Sequence, residues 1–286
     1  MSQAWAFDAI GTAWQIDTPN PLPPDVRDRI SARIEQFDRT WSRFRADSAV
    51  MRLAEQSGEH VLDGADVLLA FYDDLVDVTA GAVNPLVGRA LSDLGYDATY
   101  SLTPTGRVAH VPDWNVLDRR GDVVMVGEPV LVDVGAAGKG RLVDLVAAIL
   151  RDSGVHEATI DAGGDLYHCG PAPLRVALEH PADASRAIGV VTLPPQHALC
   201  GSAVNRRAWG DGLHHVVDGR TGRPTREVVA TWALVPHSCM QADGLATAHF
   251  FADPDVLTAR FDHEFVRVHA DGSIIWSTGL PGEVFT

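Results

Sequence analysis

Cysteine is scarce in this chain and no run of basic residues occurs. Only Cys169, Cys200 and Cys239 are present among 286 residues, an odd number without CxxC spacing. That pattern argues against a disulfide framework and against a cysteine-built zinc site. Acidic residues outnumber basic ones 38 to 23, for a formal charge of −15. Such a balance repels phosphate backbones and anionic membrane surfaces, so nucleic acid is not an expected partner. No Lys or Arg precedes Arg27, and the apolar residues before it alternate with polar ones, unlike a signal peptide. No stretch reaches the roughly 18 continuous apolar residues of a membrane helix. The expectation is a cytoplasmic, globular protein that does not span a membrane.

What is present is a hydrophobic content of 46%, enough for a large core. "AWAFDAIGTAWQID" alternates like a strand pair bent at Gly11. "PPDVRDRISARIEQFDRTWSRF" sets Val26, Ile30, Ile34, Phe37 and Trp41 at helical spacing behind a Pro-Pro-Asp start signal. A second helix is expected from Asp63 to about Thr79, terminated by Gly81. Leu94 to Val116 is rich in turn formers and reads as loops with short strands. From Pro129 the pattern is strand, glycine-rich turn, helix, strand, with Leu142, Leu145, Val146, Ile149 and Leu150 on one helix face and Gly154 at its end. Further strand-like runs, a helix around "MQADGLATAHF" and a closing hairpin turned on Asp271-Gly272 complete the chain. Helices and mostly antiparallel strand signals are mixed rather than alternating. The expected fold is α+β, with residues 1–286 as one domain.

Four stretches carry the residue types of a reactive site. In "DVGAAGKGRLVD", three glycines let the backbone approach a ligand, Lys139 offers a cation and the next helix presents its N-terminus to an anion. It fails the P-loop pattern, because Val134 stands at the first Gly and Gly140 at the magnesium-binding Ser/Thr. A plain tight turn fits these residues equally well. In "IDAGGDLYHCG" the Gly-Gly-Asp fits a turn, where an aspartate is ordinary. "GLHHVVDGRTGRP" joins His215, a titrating group, to Asp218 and a loop able to turn around a ligand. No HExxH accompanies it, so a catalytic or ligand-orienting histidine is the functional alternative to an ordinary satisfied one. In "MQADGLATAHF", Asp243 and Thr247 stand four apart, so both oxygens can reach one point. Hard oxygens at that spacing suit Mg²⁺, and a hydrogen bond within the helix would account for them as well.

In this order, "IGTAW", "WSRFRADSAVMRL", "TAGAVNPLVGRAL", "VDVGAAGKGRLVD", "IDAGGDLYHCG", "CGSAVNRRAW", "HHVVDGRTGRP" and "ADGLATAHF" resemble the ApbE family, the FAD:protein FMN transferases. The resemblance runs from about Ile10 to Phe251. It implies a Mg²⁺-dependent reaction in which a Ser or Thr hydroxyl of an acceptor flavoprotein attacks the FMN-side phosphorus of FAD and AMP leaves. It implies that Asp243 and Thr247 hold the metal, together with the backbone carbonyl of Ala136. FAD contacts are implied for Ile10, Phe44, Ala82, Val83, Asn84, Asp133 and Lys139, and proton acceptance for His215. Departures occur at Ile10, where the family often has Met, at Asn84, often Asp, and at Gly138, often Ala. "SAVNRR" and the missing Pro after Asp218 also differ from common family patterns. The alternatives that these residues leave open are a metal-dependent FAD pyrophosphatase and a non-catalytic flavin carrier.

Overall fold

The computed structural model describes residues 3–285. Its centre is an eight-stranded sheet in which every neighbouring pair is antiparallel. The strands run in the spatial order Gln3–Ala9, Thr12–Thr18, Thr159–Asp161, Asp165–His168, His197–Ala203, Val228–Pro236, Glu264–His269 and Ile274–Trp276. The first two strands form the expected hairpin, with Ile10 and Gly11 both at positive φ. Two consecutive left-handed residues give the turn whose twist suits a hairpin.

Period-two alternation sorts the side chains onto the two faces of this sheet. Ala198, Cys200, Ala233 and Val235 point to one face, where they join the core beneath the helices Pro24–Trp41, Ala65–Val78, Gly138–Asp152 and Cys239–Ala248. Leu199 and Leu234 point to the other, against Leu178, Ile188, Val191 and Leu193. These last residues come from a three-stranded sheet built of Leu174–His180, Asp183–Leu193 and Gly282–Val284. The architecture is therefore α+β, with helices on one side of the antiparallel sheet and a smaller sheet on the other.

The Pro24–Trp41 helix buries Val26, Ile30, Ile34, Phe37 and Trp41, the stripe its sequence spacing predicts. Ala65–Val78 is the second expected helix, closed by Gly81, whose left-handed backbone lets its N–H donate to the Val76 carbonyl at 2.8 Å. Two expectations are corrected. Leu94–Val116 contains no strand; it is irregular and ends in a short 3₁₀ turn at Trp114–Val116. Its backbone is satisfied locally, as where Asp97 Oδ1 accepts from the N–H of Thr99 and of Ser101, and Asp93 Oδ2 from that of Ala109. The apolar run from Pro129 to Asp133 is not a sheet strand either. It threads between other segments by single bonds, Val130 N–H to Leu53 and Asp133 N–H to Pro85. A short buried apolar run carries no information about what lies beside it.

Candidate active site

The site is organised by two helices that cap one another. Asp144, on the Gly138–Asp152 helix, accepts from the N–H groups of Cys239 (2.7 Å) and Met240 (3.1 Å), which open the Cys239–Ala248 helix. In return Asp243, on that second helix, accepts through Oδ2 from the Gly140 N–H at 2.9 Å, in the first turn of the other. Each aspartate thus satisfies amides that a helix start leaves without intrahelical partners, and each meets the positive end of a helix dipole. Gly140 makes the approach feasible. A Cβ there would stand 2.2 Å from the Cys239 carbonyl oxygen and 2.8 Å from Asp243 Cβ.

Near this junction several oxygen atoms have no hydrogen-bond partner among the described residues. The Gly140 N–H, one of the amides without an intrahelical acceptor, goes to Asp243, and the carbonyl of Ala136, just before the helix, accepts no backbone hydrogen bond from the described residues. Asp243 is 4% exposed, and its Oδ1 makes no hydrogen bond. Thr247, one turn further on, donates neither to Asp243 nor to the carbonyl at 243, so the bond within the helix that would account for the pair does not form. One carboxylate oxygen, one hydroxyl and one carbonyl are left unused on facing elements, and oxygen donors of this kind suit a hard divalent cation. Among the described residues no group of three His, Cys, Asp or Glu side chains is placed to hold a metal. Burial, and then the charge of Asp165, hold the Asp243 carboxyl well above the ordinary carboxylate range, against the pull of Lys139 and the Gly140 amide.

Lys139 forms an ion pair with Asp165, whose side chain is fully buried while the lysine stays 25% exposed. Burial works against the ammonium, yet Asp165 and Asp243 together outweigh it and raise its pKa above the ordinary value. Asp165 is not the ordinary turn aspartate its sequence suggests. It opens the Asp165–His168 strand behind the left-handed Gly163 and Gly164, opposite Cys200 in the neighbouring strand. A signal for this site was nevertheless in the sequence: Lys139 is the single lysine, against 22 arginines.

Asp133 is held by Arg43, which is 3% exposed, and by the Gly135 N–H at 2.7 Å. Burial would raise the Asp133 carboxyl, but the Arg43 charge and hydrogen bond bring it below its usual range. Arg43 also donates to the Tyr96 carbonyl (2.7 Å) and lies over the rings of Phe44 (4.3 Å) and Tyr96 (4.7 Å). Phe44 in turn stacks on Tyr100 at 4.9 Å and 16°. Tyr100 has a left-handed backbone, and its hydroxyl reaches the Ile10–Gly11 turn, 3.7 Å from where a Gly11 Cβ would be. Ile10 itself has φ 44, a strained value for a β-branched residue. The aromatic cluster of Phe44, Tyr96, Tyr100 and Trp209 is a feature no periodicity announces.

His214 and His215 are separated by their surroundings. His214 is buried and both ring nitrogens are used, one against the Thr225 carbonyl at 2.8 Å and one by the Val216 N–H at 3.3 Å. His215 is half-buried and makes one long contact, Nδ1 to the Arg207 carbonyl at 3.4 Å. With Nδ1 carrying the proton, Nε2 presents a free lone pair. Burial first, then repulsion from Arg207, push its pKa down to about 4, so the ring is neutral near pH 7. The loop behind it docks on the Gly81–Asn84 turn, where the Gly219 N–H donates to the Ala82 carbonyl at 2.8 Å. Ala82, Val83 and Asn84 are buried, and the Asn84 amide is engaged with Leu86 N–H and the Pro112 carbonyl. These three can face a ligand only through their backbone.

The glycine-rich turn, the two-helix junction, the His215 loop and the aromatic cluster thus converge on one region. The model of the ApbE family matches residues 10–267. The chain belongs to the ApbE family. Among ApbE relatives, the FAD:protein FMN transferase of Rhodobacter capsulatus is 28% identical over 295 residues, covering 94% of this chain and 55% of that protein. The chain thus spans about half the length of that relative. The FAD:protein FMN transferase of Vibrio cholerae is 26% identical over 239 residues, covering 78% of this chain and 72% of its own. In structure, the flavin transferase ApbE from Vibrio cholerae superposes with a TM-score of 0.83 at 22% identity over 97% of both chains. The ApbE protein of Thermotoga maritima gives the same TM-score at 23% identity, again over 97% of both. The ApbE fold is therefore that of this chain.

Proposed function

We propose that this protein is a Mg²⁺-dependent FAD:protein FMN transferase, moving FMN from FAD to a Ser or Thr hydroxyl of an acceptor flavoprotein and releasing AMP. The observation that carries this reading is the reciprocal capping of the two helices. With it go three oxygens without a hydrogen bond, Asp243 Oδ1, the Thr247 hydroxyl and the Ala136 carbonyl, and the helix turn that carries Lys139. Mg²⁺ held there would neutralise the pyrophosphate and align it for in-line displacement. The named relatives of the family support the flavin substrate.

The chain's own groups have separate tasks in this reading. Lys139 sets a point charge toward the phosphates. Phe44, with Ile10 and the Gly81–Asn84 turn, forms the wall for the flavin, and Asp133, held by Arg43, contacts the same ligand. His215 takes the acceptor hydroxyl proton on Nε2 as the new oxygen–phosphorus bond forms and the bond to AMP breaks. A neutral histidine positioned for proton transfer contributes about 10²- to 10⁴-fold. The anionic cofactor would be met by Mg²⁺ and these local donors rather than by net charge, so the acidic surface is no obstacle.

The test is incubation with FAD and Mg²⁺, with and without a flavoprotein acceptor, followed by a denaturing gel. Flavin fluorescence that stays with the acceptor band, with AMP formed in equal amount, is expected. Release of free FMN at full rate without acceptor would replace the transferase by a pyrophosphatase. FAD binding without turnover would leave a carrier.

A further inference from the structure

Asp165 has no part in the reading above, yet its environment is unusual. It is fully buried, one of its carboxylate oxygens meets Lys139, and Oδ1 has no hydrogen-bond partner among the described residues. A buried charge left with so few donors is costly unless something depends on it. Its one ionic partner is the single lysine of a chain that otherwise uses arginine 22 times. The ammonium is a compact point charge and the guanidinium a planar fork, so retention of lysine at this one place suits a site with room for a point charge only. Two carboxylates, Asp165 and Asp243, bear on that ammonium electrostatically, but the ion pair is with Asp165. Asp243 is instead held by the Gly140 N–H.

We propose that Asp165 is a positioning residue that acts through Lys139, anchoring the ammonium at the edge of the site, toward the phosphates of the substrate and clear of Asp243. This rests on the reading that the site takes FAD. Without the anchor, Lys139 would be drawn to Asp243, the oxygen donor that the metal reading needs free. The strand start behind Gly163-Gly164 makes Asp165 a rigid support. The lysine keeps a quarter of its side chain exposed.

The experiment is a double-mutant cycle of Asp165→Asn and Lys139→Met, read by KM for FAD and kcat, with acetic anhydride labelling of Lys139 followed by mass spectrometry. Because the chain has one lysine, the label reports this side chain alone apart from the N-terminus. Asp165→Asn is expected to raise KM for FAD about tenfold or more, and to slow Lys139 acetylation, since an ammonium drawn toward the buried Asp243 leaves the exposed edge of the site. In the Lys139→Met background the same substitution is expected to change neither KM nor kcat. An equal loss in both backgrounds would overturn the proposal, because Asp165 would then be acting on the fold. If Asp165→Asn alone does not fold, comparing the double variant with Lys139→Met decides, since removing both charges leaves no unpaired ion. Unchanged labelling of a folded Asp165→Asn protein would also overturn it. Wild-type protein that consumes no FAD, with labelling still dependent on Asp165, would refute the transferase reading and leave the anchor standing.

Discussion

Replacing Gly140 by Ala sets two effects of opposite sign against each other. In a helix, Ala is favoured over Gly by about 1 kcal/mol, so propensity alone predicts a more stable protein. The tertiary structure opposes this. The added methyl would lie 2.2 Å from the Cys239 carbonyl oxygen, 2.7 Å from its carbon and 2.8 Å from Asp243 Cβ. Ordinary carbon–oxygen contact begins at about 3.3 Å, so the helices must part by roughly 1 Å. Neither obstacle is the free end of a flexible side chain, which puts the overpacking cost near the upper end of its range, about 3 kcal/mol. The net is a loss of about 2 kcal/mol, or about 4 °C in Tm for a chain of this size. Parting the helices also stretches the Gly140 N–H bond to Asp243 and moves the site's oxygens apart, for which a further loss of about 10²-fold in turnover is expected. Thermal melts by circular dichroism and an Mg²⁺ titration of FAD consumption measure the two effects. Gly127→Ala, where nothing lies within 4 Å of the new methyl, is the control and stays within about 0.5 kcal/mol of wild type. A Gly140→Ala protein as stable and active as wild type would refute the close helix crossing and the site built on it.

Asp243→Ala is expected to abolish Mg²⁺-dependent turnover, and unchanged activity would remove the metal assignment. His215→Ala is expected to lose transfer while still binding FAD, which fluorescence titration separates from turnover; normal transfer would exclude the proton-acceptor role. For His215 the folded pKa of about 4 lies below the unfolded value near 6.5, so between these the unfolded chain binds more protons. Its contribution therefore destabilises the fold as pH drops through that window, and the ring stays neutral at pH 6. A kcat/KM profile whose acidic limb is centred near 6.5 would contradict this. Asp133→Asn leaves the buried Arg43 guanidinium without its carboxylate and is expected to cost about 3 kcal/mol in urea unfolding, and no loss would show the pair to be idle.

What the sequence by itself determined is what depends on near neighbours. The hairpin turn at Ile10-Gly11, the stripe of the Pro24–Trp41 helix and the Gly154 stop after Asp152 all follow from spacings of a few residues. The order of eight short motifs was equally legible, and with it the family. Periodicity went wrong at Pro129–Asp133, because a buried apolar run looks alike whether a strand or a loop lies beside it. What only the tertiary structure decided depends on residues far apart in the chain. Gly140 and Asp243 are 103 positions apart and Arg43 and Asp133 are 90 apart, and no local pattern records either pairing. That the Thr225 carbonyl and the Val216 amide consume the His214 ring, while the His215 ring named from the sequence makes one long contact, is likewise written in no local pattern. Asp165 read as a turn residue because turns favour aspartate. Only its burial opposite Cys200, with the single lysine as its ionic partner, makes it part of the site, since the free energy of an ionised group is set by what surrounds it in space.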